Sequence, residues 1–188
     1  MQYLSINQVT DILRVAFKEN RAHHLMLLLT WTHGLRRAET AAIKLKDVDG
    51  GFIRVARLKN SLPTVHPLRE TSNLLFNERL ALNAWLQERP KNSDALFPSR
   101  KGHGCLEPES VGRIATYYMT RANIPEPLRH MHALKHSCCA LQARAGAKIE
   151  NIAEYVGHKD IKNTRIYLSV SQDEAAASAF TAFNSILS

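Results

Sequence analysis

A chain of 188 residues, 45% apolar and 22% charged, has the size of one domain with at most an appendage and enough hydrophobic side chains for a core, which excludes a disordered tail and a large multidomain machine. Its 25 Lys and Arg against 17 Asp and Glu give a net charge of +8, a bias toward a polyanionic partner, nucleic acid before membrane. The longest strongly apolar run, Leu25 to Leu29, is far short of the ~20 residues a membrane span needs, and Met1-Gln2-Tyr3-Leu4 lacks a basic signal region.

Ser5 followed three residues later by Gln8 reads as a capping box, and Val9, Ile12, Leu13 and Phe17 then recur at helical spacing. A second helix, roughly 22–33, is apolar nearly all round (Leu25, Met26, Leu27, Leu28, Leu29, Trp31) and should be the centre of the core, broken by Gly34. A short helix over 38–45 is closed by Asp49-Gly50-Gly51. Two runs with β-branched residues, 52–57 and 62–68, flank Leu58-Lys59-Asn60-Ser61 and predict a hairpin, with Pro63 and Pro67 marking its second strand as an edge. Helical spacing resumes over 72–88, where Leu75, Leu82, Trp85 and Leu86 share a face, and ends before Pro90. After a basic loop containing Ser99-Arg100-Lys101-Gly102, helices are expected over 109–122, over 132–145 up to Gly146, over 148–156 up to Gly157, and as a last pair after Asp160. The fold expected is one mostly α domain with a small antiparallel β-sheet.

Basic and polar residues cluster where helices begin or end: Arg36-Arg37 after Gly34, His132 and Lys135 on one helix's first turn, and His158 after Gly157. Such junctions suit phosphate oxygens, although each alone is equally the mark of a solvated patch or a cap. His130, His132, His136, Cys138 and Cys139 crowd one segment, but no Cys-x-x-Cys or His-Glu-x-x-His spacing accompanies them, so no metal is expected. No phosphate-loop or dinucleotide glycine motif is present, and no cofactor is called for. The cysteines, with Cys138 and Cys139 adjacent, make no disulfide framework and favour a reducing, cytoplasmic setting.

Read in order, Gly34-Leu35-Arg36-Arg37-Ala38-Glu39, Arg57-Leu58-Lys59, Leu96-Phe97-Pro98-Ser99, His132-Ala133-Leu134-Lys135-His136-Ser137 and Val156-Gly157-His158 with Thr164 and Tyr167 downstream closely resemble the tyrosine recombinase (phage integrase) family. The resemblance runs from about Leu4 to Tyr167, and the Arg57-Leu58-Lys59 hairpin, His66-Pro67-Leu68 and the 99–102 loop look most like the short fimbrial phase-variation recombinases. It implies site-specific DNA recombination by metal-free transesterification, a tyrosine hydroxyl attacking a phosphodiester to give a 3′-phosphotyrosyl link and a free 5′-hydroxyl. A phenol with an ordinary pKa near ~10 is a poor nucleophile at neutral pH, and the pentacoordinate phosphorane accumulates negative charge, so cations must crowd one phosphate.

Matched motif by motif, the resemblance implies that Arg36 holds the scissile phosphate, Lys59 protonates the departing 5′-oxygen, His132 is the acid/base near the tyrosine, His158 is a second phosphate donor and Tyr167 is the nucleophile. Arg37 is expected at the surface, and Tyr3, Tyr117, Tyr118 and Tyr155 in packing roles. Where the family has His-x-x-Arg, Lys135 stands, keeping charge and losing the bidentate fork, so weakened rather than abolished chemistry is expected. The competing reading is a DNA-binding module that has lost catalysis through Lys135 and occupies or regulates recombination sites. Further expectations are double-stranded DNA as partner, a homo-oligomer (tetramer) on DNA, accessory DNA-bending proteins, nucleoid association and no membrane. Residues 1–188 are expected to form the catalytic domain without an N-terminal core-binding domain. For a helix over 171–188 carrying Phe180, Phe183, Ile186 and Leu187, the resemblance implies docking on a neighbouring protomer, the alternative being that it folds back onto its own domain.

Overall fold

The computed structural model describes residues 3–58, 61–99 and 104–167. Lys59, the basic pair Arg100-Lys101 and the tail over 171–188 therefore lie outside the described residues. The chain opens with the expected reciprocal cap: Gln8 N donates to Ser5 Oγ (3.3 Å) and Ser5 N to Gln8 Oε1 (2.9 Å), starting α1 (Ile6–Glu19). Leu4 N donates to Ser137 Oγ (2.8 Å), fixing the start of α1 to a helix 133 positions away. Asn20 then caps α2 (Arg21–Thr32), whose Leu25, Met26, Leu27, Leu28 and Leu29 are all buried, making it the central helix. Gly34 ends it with φ +58°, and a Cβ there would stand 2.8 Å from Val156 Cγ1, so both the left-handed turn and the close approach require glycine.

Helix α3 (Arg37–Ala42) stops three residues before the sequence spacing predicts. Ile43 and Leu45 instead pair with the 94–96 segment, Leu45 N donating to Asp94 O (2.8 Å) and Leu96 N to Ile43 O (2.8 Å). The hairpin forms as expected from β1 (Phe52–Val55) and β2 (Thr64–Pro67), antiparallel with Ile53 opposite His66 and Arg54 opposite Val65. Both strands are shorter than predicted. Beyond Val55 the Arg57 side chain turns into the core, and before Thr64 the Leu62 amide donates to Gly157 O (2.9 Å) rather than to the partner strand.

The helix predicted over 72–88 is two elements, a 3-10 turn at Leu74–Phe76 and α4 (Glu78–Glu88). Asn77 separates them because its side chain accepts from Leu80 N (3.0 Å), the favourable geometry of an N-cap rather than of a helix interior. Four helices follow: α5 (Pro108–Arg121), α6 (Met131–Arg144), α7 (Ile149–Tyr155) and the short α8 (Lys162–Arg165). α1, α4 and α6 pack around α2, and α5 closes the core over α1 and α3. One end of this bundle gathers the α2 terminus, the start of α3, the mouth of the hairpin, the first half of α6 and the turn after α7. No helix among the described residues is long and apolar enough to cross a membrane.

Candidate active site

Arg36 is the residue before the first turn of α3, where the backbone is still extended. Its guanidinium donates to Glu39 Oε1 (2.7 Å) and Leu58 O (3.2 Å) through Nη1 and to Ser61 Oγ (3.0 Å) through Nη2. The Glu39 side chain is fully buried and also accepts from Arg36 N (2.8 Å), Leu58 N (3.0 Å) and Arg57 Nη1 (3.3 Å). Burial alone would raise its pKa, but those donors and the Arg57 charge outweigh burial and hold the carboxyl below its usual range. Leu58 and Ser61, the described residues on either side of Lys59 and Asn60, are both fastened to Arg36.

Arg57 is equally buried and serves backbone. Its guanidinium donates to His33 O (2.9 Å), Gly34 O (3.2 Å) and Tyr155 O (3.2 Å), and Nε to Thr64 Oγ1 (3.1 Å). The carbonyls at the ends of α2 and α7 have no intrahelical partner, and one planar fork satisfies both sets. The hairpin is thereby pinned to two helix termini, which explains why the strands end early.

Lys135 is 5% exposed and donates from Nζ to Gly34 O (2.8 Å). Burial, and after it the charges of Arg36 and Arg57, bring its pKa down to about 8. His158 follows Gly157, whose φ is +70° and where a Cβ would come within 2.3 Å of Leu62 O, so this turn is pressed against the hairpin. The His158 Nδ1 lies 2.9 Å from Thr164 Oγ1, and burial, then Lys135, Arg36 and Arg57, push its pKa down to about 4. The charges of Arg36, Arg57 and Lys135 thus meet around the Glu39 carboxylate, with a neutral His158 beside them, an arrangement suited to a phosphate anion.

Tyr167 lies on the same short segment as His158: its amide donates to Thr164 O (3.1 Å), and Thr164 is the residue whose hydroxyl meets His158. The ring packs with Cys139, Ile152 and Val156. Burial and the neighbouring Cys139 thiol raise the phenol above its ordinary pKa. Its hydroxyl meets His136, Nδ1 to Oη 2.5 Å. His132, one turn earlier on α6, is exposed, with its ring centroid 6.2 Å from that of His136. His130 is the N-cap of α6, Nδ1 accepting from Ala133 N (3.1 Å), and Arg37 pairs with Glu109 at the surface (3.3 Å).

The structure therefore brings Arg36, Lys135 and His158 together, with Tyr167 on the adjoining turn and His132 at the rim of α6. It adds Glu39, Arg57 and His136, which sequence reading gave no role. Glu39 stands at the capping-box offset from Arg36, a signal for a local cap that conceals its wider use. Arg57 reads as a strand residue, and His136 reads as one of a crowd of histidines.

The fold aligns with the crystal structure of XerA recombinase at a TM-score of 0.77 and 19% identity, covering 97% of this chain and 65% of that one. It aligns equally, at 0.77 and 21% identity, with XerH recombinase bound to its difH substrate in a pre-cleavage complex, covering 95% and 54%. The architecture is that of a tyrosine recombinase catalytic domain. Residues 2–174 match the phage integrase family model, and the type 1 fimbriae regulatory protein FimE of Escherichia coli K12 is 33% identical over 151 residues, 77% of this chain and 72% of the relative. FimB of the same strain is 30% identical over 174 residues, 88% and 82%, and tyrosine recombinase XerD of Caulobacter vibrioides is 28% identical over 186 residues, 92% and 59%. The chain belongs to the phage integrase family of tyrosine recombinases, and the likeness includes its fimbrial phase-variation members.

Proposed function

We propose that the protein is a site-specific recombinase of double-stranded DNA that cuts and rejoins strands through a 3′-phosphotyrosyl intermediate at Tyr167. The observation that carries the reading is the convergence of Arg36, Lys135 and His158 within reach of one another's side chains, beside the turn that holds the phenol. In this assignment Arg36 and Lys135 bring positive charge to the non-bridging oxygens of the scissile phosphate, and His158, neutral at its lowered pKa, donates a hydrogen bond to them. His132 exchanges protons near the tyrosine and Lys59 protonates the leaving 5′-oxygen. Fixed cations of this kind stabilise charge that develops only in the transition state. Covalent capture from a library of nicked, partly randomised duplexes tests it: a protein–DNA adduct that survives boiling in detergent supports recombination. Tight DNA binding without any adduct would favour a module that only occupies recombination sites.

Lys135 has a measurable signature. One of its three donors is spent on Gly34 O, so it offers the phosphate less than an arginine fork would. With its ammonium titrating near 8, the second-order rate of cleavage should decline above about pH 8 as the charge is lost. Lys135→Arg should cleave about tenfold faster at neutral pH, the worth of one charge-assisted hydrogen bond, and should lack that decline. If Lys135→Ala matches wild type across the pH range, the lysine is not a phosphate ligand.

The reading extends to assembly as a tetramer on paired sites, assisted by DNA-bending proteins, with the 171–188 tail docking its apolar stripe on a neighbouring protomer. Removal of residues 176–188 should leave the melting temperature unchanged and abolish multi-subunit complexes on DNA. A lower melting temperature with unchanged assembly would assign the tail to its own core.

A further inference from the structure

The nucleophile assigned above needs somewhere to put its proton, and the residue that meets its oxygen is not the histidine the family pattern nominates. His136 stands one position after Lys135, half-buried on α6, with Nδ1 2.5 Å from Tyr167 Oη and the two rings tilted by 49° at 5.8 Å between centroids. That separation is shorter than an ordinary hydrogen bond between nitrogen and oxygen and aims a ring nitrogen at the hydroxyl. We propose that His136 accepts the phenolic proton of Tyr167 when its oxygen attacks the phosphodiester, an inference that rests on Tyr167 being the nucleophile.

The step balances. The Oη–P bond forms as the P–O5′ bond breaks, the phenol proton passes to His136 Nδ1 to give an imidazolium, and the 5′-oxygen takes a proton from Lys59. In rejoining, the 5′-hydroxyl attacks and gives its proton back to Lys59, the tyrosine oxygen leaves as the Oη–P bond breaks, and His136 returns the proton to it. The charged and titratable groups around the imidazole favour its neutral, proton-accepting form: burial first, then His132, His130 and Lys135, all lower its pKa from the ordinary value. Facing it from the α8 side is the phenol itself, with the Cys139 thiol beside that ring, both raised by burial and neutral. His132, exposed on the preceding turn, is then left for the phosphate or for solvent exchange.

The test is the pH profile of single-turnover cleavage on a captured nicked duplex, with melting temperature and DNA affinity measured alongside. Besides the decline above about pH 8 assigned to Lys135, wild type should lose rate below the imidazole pKa, and that acid limb should coincide with the His136 titration followed by nitrogen NMR of the free protein. His136→Gln keeps a polar partner for the hydroxyl without useful basicity. It should cleave about a hundredfold more slowly at pH 7 and gain about tenfold per pH unit up to about pH 8, where loss of the Lys135 charge sets in, as phenolate has to come from solvent. A rate within threefold of wild type, or the same fractional loss at every pH, would overturn the assignment and leave His136 a packing residue. An acid limb in wild type that departs from the His136 titration would overturn it without any variant. Tyr167→Phe is the separate control: an adduct persisting there would defeat the nucleophile assignment itself, whatever His136 does.

Discussion

Tyr167→Phe is expected to abolish the covalent adduct, a loss of at least about 10³-fold and so roughly 4 kcal/mol or more of transition-state stabilisation, while DNA affinity stays unchanged. Removing the oxygen removes the bond-forming atom, and no other described tyrosine stands ready to replace it. Tyr155 donates its hydroxyl to Thr32 O (3.0 Å), Tyr118 lies 3.0 Å from His23 Nδ1, and Tyr117 donates to Glu19 Oε2 (3.2 Å). Tyr3 is 3.4 Å from Arg144 at the chain start. Stability should change by only about 1–2 kcal/mol, because the variant forfeits the hydroxyl's hydrogen bonds to His136 and Cys139 while its ring keeps packing on Cys139, Ile152 and Val156. Gel retardation beside detergent-stable adduct formation separates the two effects, and an adduct in the variant would move the nucleophile elsewhere.

The largest expected effect on stability belongs to Glu39→Ala. The carboxylate is the counter-charge of the fully buried Arg57 and the acceptor for Leu58 N and Arg36, so its removal strands buried donors on three residues. Breaking one side of such a buried pair costs about 3–5 kcal/mol, which for a chain of this size lowers the melting temperature by roughly 10 °C. Cleavage should fall as well, since Arg36 loses the group that orients it and Leu58, next in sequence to Lys59, loses an anchor. The pH dependence follows in sign. The Glu39 pKa is depressed in the folded protein, so its contribution is present above the ordinary carboxylate pKa and is lost as pH falls through the folded value. Thermal unfolding between pH 3 and 7 should accordingly show a flatter acid limb in Glu39→Gln than in wild type. An unchanged melting temperature in Glu39→Ala would mean that Arg57 is held by the helix carbonyls alone.

Elements whose cause is local were readable from the sequence. The Ser5–Gln8 capping box, the all-apolar run that makes α2 central, the Gly34 stop and the hairpin each follow from residues within one or two turns of the feature. The misplaced boundaries share a different cause, a distant partner: Asp94 ends α3 early, Gly157 takes the amide that would have lengthened β2, and Asn77 caps one helix where continuous spacing implied one through it. The candidate site divides the same way. Arg36, His132, Lys135, His158 and Tyr167 could be picked out by motif order, and the structure brings Arg36, Lys135 and His158 close to one another. Glu39 and Arg57 owe their importance to burial against chain tens of residues away, and His136 owes its own to a helix that returns 31 positions later. None of those properties is written in local spacing. Lys135 shows the limit from the other side: the substitution was visible, but its engagement with Gly34 O and its lowered pKa belong to the packed structure.

The most direct test of the central claim is to identify the residue that DNA becomes attached to. After capture on a nicked duplex, proteolysis and mass spectrometry of the DNA-linked peptide should locate a 3′-phosphoryl nucleotide on Tyr167, within the peptide following Arg165, with a free hydroxyl on the released 5′ end. Attachment at any other residue, linkage through a 5′-phosphate, or cleavage that leaves no covalent peptide would contradict the account.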